Sequence, residues 1–239
     1  FVPGAVLPAE AGLVLVTSAA GVDHWATWTD VSPSEPVPVA ADDRAATVLV
    51  DDTFESRPVG APAPAVWVPD GDVPVGRLVD DARIGDRSLR LDGAGPDGRP
   101  AGACRSVPDV GATVVVFEAV VVADGYGEAD ARLLTVRGPA GPLASVRWSR
   151  AGGIGWSTPE GRVTPAVLGS GSVVLVTVEI DLDATVASIR VSDPNGADIV
   201  AADRLPWLTP GPGPVEEACV RAAPGAGTAL ALGTLRVTA

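Results

Sequence analysis

Residues 172–200 read SVVLVTVEIDLDATVASIRVSDPNGADIV and carry the clearest pattern in the chain. Val174, Val176, Val178, Ile180 and Leu182 alternate with Leu175, Thr177, Glu179 and Asp181. A period of two sends one set of side chains to each face of an extended strand. Asp183-Ala184-Thr185 interrupts the run, and residues 186–191 begin a second alternating strand. Asp193-Pro194-Asn195-Gly196 then supplies turn chemistry: Pro presets φ, and Asn and Gly tolerate the left-handed region. Together these segments predict an antiparallel meander.

Short apolar runs separated by Gly and Pro recur along the rest of the chain. They predict strands at 47–50, 65–68, 77–79, 88–91, 102–107, 113–122, 131–137, 142–149, 154–157, 161–165, 215–222 and 228–238. The run at 113–122 is nearly all apolar, which fits a strand at the centre of a sheet. So many short strands at this spacing predict an all-β fold, an antiparallel sandwich of two large sheets. No repeat of fixed period argues for a propeller. The single weak helix candidate is an Ala-rich segment at 124–134. No apolar run is long enough to cross a membrane as a helix.

The first part of the chain differs. Residues 12–17 form one short strand, His24, Trp25 and Trp28 make an aromatic patch, and residues 32–39 (SPSEPVPV) are Pro-rich and extended. The expected organisation is an N-terminal extended arm, or the tail of a preceding domain, over 1–46, followed by a sandwich over 47–239. Aromatics beside a Pro-rich arm are an interaction patch by which the chain docks on a neighbouring domain or self-associates. The chain begins at Phe1 and has no Met, so it reads as a processed or excised piece.

Composition adds three constraints. The net charge is −13 and all 17 basic residues are Arg. Such a surface repels phosphate backbones and excludes nucleic acid as the expected partner. Cys104 and Cys219 both fall in predicted strands, compatible with one disulfide or with two buried thiols. With His24 as the single His, the chain lacks the ligands for a zinc site.

The order of several weak motifs resembles the concanavalin-A-like and laminin-G-like jelly-roll domains of secreted bacterial proteins. The motifs are Asp51-Asp52-Thr53-Phe54-Glu55, Pro58-Val59-Gly60, Pro64 and Trp67, Arg87-Ser88-Leu89-Arg90-Leu91, and the strand pair at 173–191. The resemblance covers residues 48–239. It departs at Ser170-Gly171-Ser172, where such domains often carry a Trp. It implies a jelly-roll sandwich whose concave sheet or rim loops bind glycans in some relatives, while others are glycoside hydrolases, polysaccharide lyases or accessory modules. Calcium is common in such relatives, and Asp51, Asp52 and Glu55 are the candidate oxygen ligands.

The catalytic patterns of that fold are thin here. Hydrolases of this fold carry several acids on one strand, whereas Glu118 is followed at i+2 and i+4 by Val120 and Val122. Glu179 and Asp181 form an i, i+2 pair that suits retaining glycoside chemistry by spacing, and equally suits the solvent face of an amphipathic strand. Lyase chemistry asks for a Tyr or His base, and Tyr126 and His24 lie in separate regions. No catalytic residue is therefore assigned. Glu118, Arg132, Arg147 and Glu179 are expected on one concave face as glycan-binding residues, with Trp156 as an exposed stacking platform after the flexible Gly152-Gly153-Ile154-Gly155. Trp67 and Trp148 are expected in the core and Trp207 at one end of the sandwich. The resulting expectation is an extracellular, non-catalytic, glycan-binding or supporting module. The alternatives are a structural subunit of a surface appendage or virion fibre, and a glycoside-active enzyme.

Overall fold

The computed structural model describes residues 13–17, 23–27, 46–85, 87–95 and 98–239, the first two segments by their backbone alone. The chain divides into two units, Phe1–Ala45 and Ala46–Ala239. In the first, β1 (Leu13–Thr17) pairs antiparallel with β2 (Asp23–Thr27). The sequence expected a strand only at the first of these. His24 and Trp25 lie on β2, while their side chains, Trp28 and the Pro-rich segment at 32–39 lie outside the described residues.

The second unit is two antiparallel sheets. One has eight strands. Its path runs β15 (Asp198–Pro206), β14 (Val186–Ser192), β13 (Val173–Asp181), β8 (Val114–Asp124), β17 (Ala229–Thr238), β6 (Ser88–Asp92) and β5 (Arg77–Val79). The eighth, β3 (Val48–Asp52), continues the edge of β17 beyond β6. The other sheet has seven strands in the order β12 (Gly161–Val167), β11 (Gly153–Thr158), β10 (Gly141–Trp148), β9 (Ala131–Gly138), β16 (Glu217–Arg221), β7 (Gly102–Ser106) and β4 (Trp67–Pro69). No helix occurs among the described residues, so none there is long and apolar enough to cross a membrane. The Ala-rich segment at 124–134 is a turn followed by the first residues of β9; Gly125, with φ of 73°, ends any helical path there.

The meander forms as its pattern predicts, and its third strand runs on to Pro206. Val174, Val176, Val178 and Ile180 are buried, and Thr177 and Glu179 face outward. β8 alternates in the same phase, with Val115, Phe117, Ala119 and Val121 inward. From the seven-stranded sheet, Leu134, Val136, Val146, Ile154, Ala218 and Val220 complete the layer between the sheets. Each fully buried Leu, Ile or Phe in such a layer stabilises the fold by about 1.5–3 kcal/mol. Phe54, from the acidic opening motif, adopts φ of 59° and packs on Trp67, with ring centroids 5.9 Å apart. Trp67 is buried, and its strand is only three residues long.

One segment folds back over the outer face of the eight-stranded sheet. Arg83 donates to both carboxylate oxygens of Asp124 at the end of β8, at 2.7 and 2.9 Å, and also to Asp81. Ile84 abuts Gly233 in the bulge of β17; a Cβ there would lie 2.7 Å from the Ile84 carbonyl oxygen. The strap lies over β8 and β17 and leaves the outer face of β13, β14 and β15 to solvent. The Arg83 guanidinium holds the Asp81 carboxyl below its ordinary pKa.

Cys104 on β7 faces Cys219 on β16 in register, and the two form a disulfide with Cα atoms 4.0 Å apart. The bond closes a sequence separation of 115 residues.

Two outcomes follow for stability. Replacing both cysteines, Cys104→Ser with Cys219→Ser, should lower the unfolding free energy by up to about 4–5 kcal/mol, the chain-entropy expectation for a loop of this size; urea unfolding with and without reductant measures it. Because the folded Asp81 carboxyl titrates lower than the unfolded one, its contribution is complete above the unfolded value near pH ~3.9. It is lost as pH falls through the depressed folded value. The stability difference between the natural protein and Asp81→Asn should therefore be present at pH 6 and vanish in stronger acid, read by urea titrations at stepped pH.

Candidate functional site

The sandwich separates the residues that the sequence placed together. Glu118 and Glu179 lie on the outer face of the eight-stranded sheet, Arg132 and Arg147 on the outer face of the seven-stranded one. Strand phase alone tells which residues point away from the core. It does not tell which sheet a strand joins, and the expected common face therefore does not exist.

On the eight-stranded sheet, Glu118 sits opposite Thr177 on β13 and Arg236 on β17. Glu179 sits opposite Val116 on β8 and Ser188 on β14. Glu118 and Glu179 are thus diagonal neighbours, at a separation of roughly 7–8 Å in an antiparallel pair. Thr177, Glu179, Ser188, Ile189, Arg190 and Asp203 line a groove of about 340 Å³. Asp203 reaches it through an irregularity: between the pairs Ile189↔Ala202 and Ala187↔Leu205 the register shifts, and Arg204 has φ of 54°. Bulges of this kind re-aim side chains, and the sequence gives no sign of this one. Arg190 is oriented by Asp198, Nε to Oδ2 3.5 Å, and the Ser192 hydroxyl donates to the other oxygen of Asp198 at 3.0 Å. The spacing that suggested Glu179 and Asp181 as a carboxylate pair has another cause. Asp181 Oδ1 accepts the Ala184 N–H at 2.7 Å and so holds the turn between β13 and β14, where Thr185 has φ of 55°.

The seven-stranded sheet carries a network of five arginines and three carboxylates. Asp70 is buried and its Oδ1 accepts from Arg137 at 2.7 Å, while its Oδ2 lies 3.8 Å from both Arg132 and Arg221. Arg137 also approaches Glu217, at 3.7 Å. Asp130 is shared by Arg162 at 2.7 Å and Arg147 at 3.7 Å. Gly102 makes room for the centre: a Cβ there would lie 3.1 Å from Asp70 Cβ and 3.2 Å from Arg221 Cγ. Burial, together with the charges of Arg147, Arg221 and Arg137, outweighs the attraction of Asp70 and lowers the pKa of Arg132. Beside the network, Thr135 and Ser145 share a buried hydroxyl–hydroxyl hydrogen bond of 2.9 Å. Asp70 lies with Cys104 and Cys219 in one small cluster, but both sulfurs are consumed in the disulfide and offer no thiolate to a metal.

Two further expectations, for Trp156 and for the calcium ligands, differ from the structure. Trp156 is buried rather than exposed, because it pairs with core residue Val146 on β10. The glycine beside it, Gly155, is needed for close strand approach, since a Cβ there would meet the Val163 carbonyl oxygen. Among the described residues the exposed aromatic is instead Tyr126, 56% accessible, set edge-on against Trp148 with its hydroxyl accepting the Ser170 N–H at 3.3 Å. Asp51, Asp52 and Glu55 do not converge as calcium ligands. Asp51 and Asp52 are successive strand residues on opposite faces, and Asp52 accepts from Arg105 Nε at 2.9 Å. Trp207 is buried and lines an apolar cavity of about 620 Å³ with Pro159, Pro206, Leu208, Pro210 and Pro212.

The sandwich of two antiparallel sheets superposes on solved structures closely enough to define the architecture. A sialidase superposes with a TM-score of 0.57 at 11% identity over 80% of this chain. A Lotus tetragonolobus seed lectin gives 0.51 at 10% identity, covering 80% of this chain and 97% of the lectin. The fold is the concanavalin-A-like jelly roll. An uncharacterized protein from Mycobacterium paratuberculosis has the same likeness, 0.51 at 18% identity over 79% of this chain and 99% of its own. This jelly roll spans only 18% of the sialidase's length. No protein-family model matches the chain, and no curated protein matches it in sequence.

Proposed function

We propose that the chain is a non-catalytic glycan-binding module of an extracellular or cell-surface protein, and that the groove on the eight-stranded sheet holds the sugar. The groove itself carries this reading. Glu179 and Asp203 offer carboxylate acceptors, Thr177 and Ser188 offer hydroxyls that both donate and accept, and Arg190 offers a guanidinium. Vicinal hydroxyls of a pyranose ask for such alternating donors and acceptors within a few ångströms. The groove is open and polar, which suits a ligand that stays partly hydrated.

Two observations support the rest of the reading. A disulfide is retained in oxidising compartments. The engagement of Asp181 in its own turn removes it as a partner carboxylate for Glu179, which supports binding over a cleavage mechanism that uses this pair. A support role beside an attached domain is compatible with the same surface, because the sialidase that shares this fold is far longer than the jelly roll.

A glycan array probed with the full chain should return at least one neutral saccharide, and Glu179→Gln should weaken its binding about tenfold, the effect of losing one charge-assisted hydrogen bond. An array without a single neutral binder, or a binder indifferent to Glu179→Gln and to Ser188→Ala, would sink the assignment of the groove. Hydrolysis of a bound glycan that Glu179→Gln abolishes would turn the reading to an enzyme.

A further inference from the structure

The outer face of the seven-stranded sheet gathers like charges across three neighbouring strands. Arg221, Arg132 and Arg147 occupy one rung across three neighbouring strands: Arg221 pairs with Arg132, and Arg132 with Arg147. Like charges directly opposite one another destabilise a sheet. Here three stand in a row, in a chain whose net charge is −13 and which had ample acid to place between them. Arg137 and Arg162 extend the set. The five arginines share three carboxylates, Asp70, Asp130 and Glu217, which leaves two positive charges in excess.

Burial sharpens the imbalance. The Asp70 side chain is 5% exposed, and its Oδ2 has no hydrogen-bond donor, only guanidinium groups at 3.8 Å. Arg147 Nε and Ser157 Oγ are likewise buried without a partner. The arginine side chains nevertheless keep a quarter or more of their surface open to solvent. Asp70 and Asp130 hold the guanidinium ends, at 2.7 to 3.8 Å, and the solvent-open part of each side chain is left to meet a ligand. Arginine in a fixed geometry binds carboxylate and sulfate through paired N–H donors.

We propose that this rung is an anion-binding site for a polysaccharide that bears carboxylate or sulfate groups, with Arg132, Arg147 and Arg221 as the contacting residues, Asp70 positioning Arg132 and Arg221 and Asp130 positioning Arg147. The rung spans two strand spacings, roughly 9–10 Å, so it meets successive charged groups of a polymer better than a single small anion. Two surplus charges on an acidic protein suit a sparsely charged chain, so the carboxylate probe is polygalacturonate in its partly methyl-esterified form and the sulfate probe is dextran sulfate of low substitution. Nucleic acid, with a phosphate at every residue, would be repelled by the remaining surface. The site lies on the sheet opposite the Glu179 groove and goes beyond the reading of that groove.

The test uses the full chain with that polygalacturonate, that dextran sulfate and dextran as the neutral control. Binding is measured by calorimetry at low and at raised salt. One or both polyanions should bind, dextran should not bind at this face, and affinity should fall with salt. Arg132→Gln and Arg147→Gln should each weaken polyanion binding about tenfold. Urea unfolding of each variant confirms that the loss is read on folded protein, since each change removes both a repulsion across the rung and an ion pair to Asp70 or Asp130. Glu179→Gln should leave polyanion binding unchanged, so the two faces report separately. Failure of both polyanions to bind, binding that survives both arginine changes, or equal binding of dextran that those changes weaken would overturn the proposal. Which polyanion binds decides between a uronate and a sulfate ester as the recognised group.

Discussion

Burial of alternate side chains between the two sheets fixes the direction of nearly every other strand residue. Phe117, Val176, Val178, Ile180 and Leu235 from one sheet meet Leu134, Val136, Val146 and Val220 from the other. Because the period of a strand is two, a slip of one residue in β13 would expose four apolar side chains and bury Thr177 and Glu179. The cost of that exchange locks the register. With the register locked, the groove beside Glu179 and the arginine rung are carried on rigid strands and not on loops.

The two outer faces then diverge in character. The eight-stranded sheet is partly roofed by the strap that Arg83 ties to Asp124, and its solvated part is mixed in charge, with Arg190 balanced by Asp198. The seven-stranded sheet gathers arginines around one buried carboxylate and is pinned across β7 and β16 by the disulfide. A protein with a net charge of −13 thus keeps a locally positive face. Electrostatic complementarity of this sort gives selectivity among ligands more than raw affinity.

Local irregularities place several side chains that a regular sheet would not. The shifted pairing of β14 with β15 brings Asp203 to the groove. The bulge at Gly233 admits Ile84 and so seats the strap. The absence of a side chain at Gly102 opens the space in which Asp70 meets Arg221. Each depends on a contact between segments far apart in sequence.

The alternation along 173–191 determined two strands, their buried faces and the turn between them, because a period-two pattern has only one good solution when one face must be dry. Apolar runs punctuated by Gly and Pro determined most of the remaining strands, and with them the sandwich. They also gave Trp67 and Trp148 to the core. The pairing of Cys104 with Cys219 was allowed by the sequence and settled by the register of β7 with β16. Glycines flanking Trp156 are compatible with flexibility and with close packing alike; here Gly155 serves close packing and Trp156 is buried. Which sheet each strand joins was decided only in three dimensions. Sheet membership follows from long-range pairing, and the alternation within a strand contains no record of its neighbours. For that reason Glu118, Glu179, Arg132 and Arg147 were all recognisable as outward polar residues. Only the tertiary structure divided them into an acidic pair at a polar groove and two members of an arginine rung on the opposite face.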